Sequence, residues 1–223
     1  MKTARLVIAS FGFAVFAGCA GPSTGDTAEC IVASDDDISA LTSSGRSCDF
    51  LNVEHPTMSS LQGLESITTV RSLRIRESPL LTQISAFVDL QPDLGAISVI
   101  GSPVENTLDL SPSNLGSVTL EGTLVRELVV SSPALDSLFL TNNPVDSVAV
   151  VSLRDLRIED VAMDTLVAFD SVTGLNRMTV RRTSLASSTI DAFIARQTST
   201  PVVEHCGNAD DGACDEVTEL DPG

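Results

Sequence analysis

A spacing constrains this chain more than any single residue does. The segment Leu135-x-x-Leu138-x-Leu140-x-x-Asn143-x-Val145 sets four apolar side chains in fixed columns. Six further copies keep those columns apolar. They start at Cys48 (Leu51, Val53, Met58), Val70 (Leu73, Ile75, Leu80), Leu94 (Ile97, Val99, Val104), Leu115 (Val118, Leu120, Val125), Leu153 (Leu156, Ile158, Met163) and Leu175 (Met178, Val180, Leu185). The third-column residues fall at 53, 75, 99, 120, 140, 158 and 180, so successive copies are 22, 24, 21, 20, 18 and 22 residues apart. Alternation between the second and third columns is the period of a strand with one buried face. One such strand cannot bury that face alone, whereas stacked copies share a continuous core. Seven parallel strands at roughly 4.8 Å make a sheet about 29 Å wide.

The segments that return from one copy to the next are short. Only seven residues separate Val145 from Leu153. That is too few for a packed helix on every turn, so extended or irregular returns are expected. The C-terminal end differs. Ser188-Thr189-Ile190-Asp191 reads as a capping-box start, and Leu185, Ile190, Phe193 and Ile194 share one helical face. This predicts a helix over 187–197 that caps the last rung. At the other end, Asp35-Asp36-Asp37 suits the first turn of a capping helix reaching Leu41, because carboxylates are favoured at a helix N-terminus.

With these columns the chain resembles the leucine-rich repeats. Its departures narrow the likeness. The asparagine column reads Pro56, Ser78, Ser102, Thr123, Asn143, Val161 and Thr183, and prolines follow at 79, 103 and 144. This is similar to the receptor L-domain type, a single-stranded right-handed parallel β-helix with ragged turns, over about residues 30 to 200. The resemblance implies a β-rich solenoid of about seven rungs with a C-terminal capping helix, serving as a non-catalytic module that binds a ligand or partner at a surface. The tail Cys206-Gly207-Asn208-Ala209-Asp210-Asp211-Gly212-Ala213-Cys214-Asp215 resembles a cysteine-rich element of exported myxobacterial proteins.

The N-terminus reads as an address. Lys2 and Arg5 precede an uncharged run from Leu6 to Ala17. Twelve helical residues span about 18 Å, short of the ~30 Å hydrocarbon core, as expected of a signal peptide. Phe16-Ala17-Gly18-Cys19 resembles a bacterial lipobox, which implies lipidation of Cys19. Phe16 stands where leucine is usual; the alternative is ordinary secretion with Cys19 removed. Ala20 in place of aspartate points, by the same resemblance, to the outer membrane. The expected organisation is a signal peptide over 1–18, a tether over 19–29, a solenoid with caps over 30–206 and an acidic tail over 207–223. Four further cysteines, Cys30, Cys48, Cys206 and Cys214, lie two near each end. In an oxidising compartment they read as two disulfides, and of three connectivities position favours Cys30–Cys48 and Cys206–Cys214. Zinc would need tighter paired spacing.

Composition removes function classes. Thirteen basic against thirty acidic residues give a net charge of −17, which excludes tracking a nucleic-acid backbone. No nucleophile elbow, phosphate loop, dinucleotide fingerprint or zinc-helix motif occurs. His55 and His205 fall at opposite ends of the stack, too far apart for a triad, and read as chance polar positions. Setting Gly212 at the sixth place of a calcium loop puts Gly207, Ala209 and Thr218 at ligand positions, so an EF-hand fails. No enzyme, cofactor or metal is expected, and the chain is expected to be a monomer.

The exposed strand positions carry the remaining signal. One outward row reads Asn52, Arg74, Ser98, Thr119, Phe139, Arg157 and Thr179. Register sets Glu54 beside Arg76, Asp155 beside Arg177 and Glu159 beside Arg181, a ladder of surface ion pairs each worth about 0–1 kcal/mol. Arg74 and Arg157 have no acidic neighbour in their own row, so with Phe139 they are the candidate ligand-binding residues. The expected function is a surface-anchored module that recognises a protein or envelope component through this face, with membrane contact only through the lipid. The alternative is a structural envelope lipoprotein without a dedicated ligand.

Overall fold

The computed structural model describes residues 28–44 and 47–214; the leader, Cys19 and the expected tether up to residue 27 lie outside them, while Glu29, expected as the end of the tether, already belongs to the first strand. The elements run β1 (Glu29–Val32), α1 (Asp35–Ser44), β2 (Ser47–Val53), β3 (Thr69–Arg76), α2 (Ser85–Val88), β4 (Ala96–Ile100), β5 (Thr107–Leu110), β6 (Ser117–Glu121), β7 (Glu127–Val130), β8 (Ser137–Thr141), β9 (Ser147–Val150), β10 (Asp155–Glu159), β11 (Arg177–Arg181), α3 (Ser187–Ile194) and β12 (Val202–Cys206). Nine strands form one parallel sheet in the order β1-β2-β3-β4-β6-β8-β10-β11-β12, consistent with a solenoid-like stack. The missing strands β5, β7 and β9 are return segments, and they pair with one another in a second parallel sheet. The seven repeat copies supply β2 to β4, β6, β8, β10 and β11. β1 and β12 add a strand at each end.

The repeat columns are the core. Every one of their residues is buried except Leu80, which is 53 % exposed. Leu81 takes its place, fully buried, because a turn closed by the Leu81 N–H on the Ser78 carbonyl (3.0 Å) adds one residue there. The second sheet contributes Leu108, Leu110, Leu128, Val130, Val148 and Val150 to the same cluster.

A left-handed residue ends most strands of the large sheet. Glu77, Gly101, Gly122, Asn142, Asp160, Arg182 and Gly207 have φ between 43° and 62°. Each of the first six donates its N–H to a carbonyl on the next strand, as Gly101 does to Glu121 (2.8 Å) and Arg182 to Cys206 (3.1 Å). The chain thus leaves the sheet in one sharp step without orphaning a donor. Glycine takes this conformation freely; Glu77, Asp160 and Arg182 hold it at a cost of about 1–2 kcal/mol each.

Behind that turn runs a buried polar column: His55, Ser78, Ser102, Thr123, Asn143, Thr183 and Asn208, broken by Val161. Its hydroxyls and amides bond the backbone of the neighbouring rung. Ser78 Oγ accepts from the His55 N–H (3.1 Å), and Ser102 Oγ accepts from that of Ser78 (3.1 Å). The expected member Pro56 is exposed, and His55 fills the column instead. Its Nδ1 accepts the N–H groups of Thr57 (3.3 Å) and Met58 (3.0 Å), as an asparagine oxygen would, while Nε2 lies 3.4 Å from Asp35. His55 is therefore not a chance polar position.

Both ends are closed by disulfides and capping groups. Cys30–Cys48 joins β1 to β2, and Cys206–Cys214 closes the loop after β12. The acidic N-terminal helix forms as expected. Ser34 Oγ donates to Asp37 (2.8 Å), and this bond first among its contacts holds the Asp37 carboxyl below its usual range.

The C-terminal helix departs in three ways. Regular helix stops at Ile194, with turns carrying on to Gln197. Its cap residue is Ala186 and no capping box forms; instead Asp210 accepts from Ser187 N–H (2.6 Å) and Oγ (2.9 Å) across the fold. The helix is also a return rather than the end, since β12 follows it. Packed structure continues through the final loop, where Asn208 is buried.

That loop gives a pH prediction. Asp211 accepts from Asn208 Nδ2 (2.7 Å), bonds the His205 ring (2.8 Å) and takes the Ser187 hydroxyl. The His205 bond first, then that of Ser187, lowers its pKa from 3.8 to about 2. A depressed folded pKa means the contribution is complete above about pH 4 and is lost as pH falls through about 2. The Ala209 N–H donates to the Leu185 carbonyl (3.0 Å), so its hydrogen exchange reports on the loop. Protection of that amide should collapse across this window. In Asp211→Asn it should not depend on pH there; an unchanged acid transition in that variant would refute the linkage.

Candidate functional site: the outer sheet face

Outward side chains of the nine-stranded sheet stand in three rows. From β1 to β12 the middle row reads Ile31, Asn52, Arg74, Ser98, Thr119, Phe139, Arg157, Thr179 and Glu204. Around Phe139, Ile100 and Glu121 the centre of the face carries small residues: Ala96, Ser98, Ser117, Thr119, Ser137 and Thr141. No contiguous apolar strip forms. Phe139 and Ile100 are each partly buried, but they lie in different rows with β6 between them.

Of the candidate residues, Phe139 and Arg157 are brought together as register neighbours on β8 and β10. Arg74 is not. Ser98 and Thr119 intervene, which puts Arg74 roughly 14 Å from Phe139 and 19 Å from Arg157 at the spacing of strands.

The register expected for the ion-pair ladder is present: Asp155 aligns with Arg177 and Glu159 with Arg181. Contacts follow it only in part. Glu159 lies 3.7 Å from Arg181, but neither Asp155–Arg177 nor Glu54–Arg76 closes into an ion pair. Pairs between adjacent rungs form mainly just outside the strands, at Arg126–Asp146 (2.9 Å), Arg154–Asp136 (3.6 Å) and Arg182–Asp160 (2.6 Å). The last holds the Asp160 carboxyl below its usual range and raises Arg182. Arg71 meets Asp49 (3.1 Å) and Arg196 meets Asp170 (2.6 Å).

Arg157 is not free of acidic neighbours. Glu159, two residues along its own strand and only 8 % exposed, lies 3.0 Å away. Glu159 also approaches Arg182 (3.9 Å), so one buried carboxylate gathers three guanidinium groups. Sequence reading also missed Arg177, Thr179 and Arg181 as a group. They stand on β11 beside Arg157 on β10, and β12 closes the far side with Val202 and Glu204.

Among the described residues, three arginines have no ion-pair partner: Arg74, Arg76 and Arg177. All three lie on this face. No group of side chains among the described residues converges in a way that could hold a metal ion. Comparison with protein-family models, with curated proteins and with solved structures finds no match.

Proposed function

We propose that this chain is an exported, lipid-anchored recognition module of receptor L-domain-like build, which binds a protein or envelope component through the outer face of its large sheet and does no chemistry itself. The observation that carries this reading is the placement of the unpaired cations. Carboxylates outnumber basic groups more than twofold in this chain, thirty to thirteen, so an arginine left without one is unexpected by chance. Those that lack one share a single face, on either side of strands whose outward residues are mostly small and polar. That arrangement suits an extended acidic or polar surface laid across the strands. Export accords with the two disulfides. No described helix is long and apolar enough to cross a membrane, and attachment through Cys19 needs none.

Capture from a cell-envelope extract tests the proposal, with the chain held through its tether. One partner retained by the wild type and lost from Arg74→Glu/Arg76→Glu is the expected result. Equal retention by the two, or none by either, would favour the structural alternative. Cys19→Ser should move the protein from the membrane to the soluble exported fraction; unchanged partition would refute the lipid anchor.

A further inference from the structure

At the C-terminal end of this face the surface sinks over Thr179. The depression, about 370 Å³, is lined by Arg157, Arg177, Thr179, Arg181, Val202 and Glu204. Register explains its shape. Thr179 lies between Arg157 and Glu204 across the strands, while Arg177 and Arg181 flank it along β11. A short side chain ringed by long ones leaves a hollow. Three sides are cationic and the fourth is Glu204.

The cations are held in place but not used up. Arg157 Nη2 is bonded to Glu159 (3.0 Å), and Arg181 is bonded to Glu204 and lies 3.7 Å from Glu159. Three groups at the hollow have unmet capacity. Thr179 is only 9 % exposed, and its hydroxyl has no hydrogen-bond partner. Arg181 Nε is buried and unbonded. Arg177 has no ion pair. The unpaired Arg177 and the Thr179 hydroxyl are donors at the hollow that a bound anion can take up.

We infer that this hollow binds a monocarboxylate bearing an apolar group next to its carboxyl. Arg157 and Arg181 are already held by Glu159 and Glu204, so Arg177 is the one guanidinium of the hollow without an ion pair, and a single carboxylate can take it up. A dianion such as phosphate would meet Glu204 and the nearby Asp155 and be repelled. Guanidinium groups present paired N–H donors that match a planar carboxylate, and the Thr179 hydroxyl can donate from below. Val202, 67 % exposed at the rim, offers apolar contact to the carbon beyond the carboxyl. A peptide C-terminus and a free acylated amino acid share this chemistry.

The inference rests on the binding face proposed above, and chemical-shift titration of the full chain separates the two. N-acetyl-leucine should perturb Arg177, Thr179 and Glu204, and N-acetyl-leucinamide should not. Arg177→Gln should weaken binding about tenfold, the worth of one charge-assisted hydrogen bond, while Arg126→Gln on the other sheet leaves it unchanged. A tetrapeptide acid ending in leucine assigns the source: tighter binding points to a peptide terminus, equal affinity to a free acid. Equal binding of acid and amide, indifference to Arg177→Gln, or tighter binding of inorganic phosphate would overturn the inference. If these fail while partner capture persists, only the hollow is lost.

Discussion

Asn143→Ala will cost about 3–5 kcal/mol of stability, read as a fall in denaturant midpoint at unchanged slope. The side-chain amide is 3 % exposed and makes four bonds. Its Oδ1 accepts from Thr123 N–H (3.0 Å) and Oγ1 (2.6 Å), while Nδ2 donates to the carbonyls of Leu120 (2.6 Å) and Thr141 (2.7 Å). Truncation strands the Thr123 N–H and hydroxyl away from water, each costing roughly 1–3 kcal/mol before relaxation, and takes a donor from the Leu120 carbonyl and from that of Thr141, which keeps its bond from the Gly122 N–H (3.0 Å). The Thr123 hydroxyl can turn elsewhere and a water can enter, so the sum is not reached. Asn208 repeats the pattern at the end of the stack, bonding Thr183 N–H (3.1 Å), Thr183 Oγ1 (2.8 Å) and the Val180 carbonyl (3.2 Å). Asn208→Ala should cost less, because solvent reaches the last turn. A loss under about 1 kcal/mol at Asn143 would mean the polar column is not a staple.

Leu140→Ala will cost about 2–5 kcal/mol, through lost transfer energy and the cavity left behind. Leu140 is fully buried, with Leu120 and Ile158 as its register neighbours on either side. Its removal loosens two interfaces of a stack in which each strand depends on its neighbours. Leu185→Ala removes an equally buried side chain, but only β12 lies beyond it. Its loss should be the smaller of the two. Equal denaturant midpoints for the two variants would argue against strand-by-strand stability.

What could be read in advance was whatever alternation dictates. Leu138 and Leu140 could only face one way, and the same holds in every copy, so the buried columns and the strand register follow. Position also paired the cysteines. The end strands were hidden because their signals are weak: β12 sets an exposed His205 opposite Val180, and β1 carries only Cys30 and Val32. The second sheet escaped notice although Leu108 and Leu110, Leu128 and Val130, and Val148 and Val150 recur at the repeat spacing. They lie in segments too short to suggest paired strands. The slip from Pro56 to His55 depends on where β2 turns, which no column match can supply. For the face, register placed Phe139 beside Arg157. Arg157 nonetheless faces Glu159 through a side-chain conformation, and the hollow over Thr179 needs β12. Contacts set by side-chain reach lie beyond a pattern of columns.

The two disulfides close short loops, of 18 and 8 residues, so the entropy each removes from the unfolded chain is modest. Their position matters more than their length. A stacked sheet can unzip from either end, since an outer strand has a neighbour on one side only. Here β1 is joined covalently to β2 at one end, while at the other the bond ties the last loop back onto the end of β12. Reductant should therefore open the chain from its tips inward, and proteases should then cut first near residues 30 and 206. While oxidised, β1 cannot peel away from β2, and the final loop cannot unwind from the end of β12.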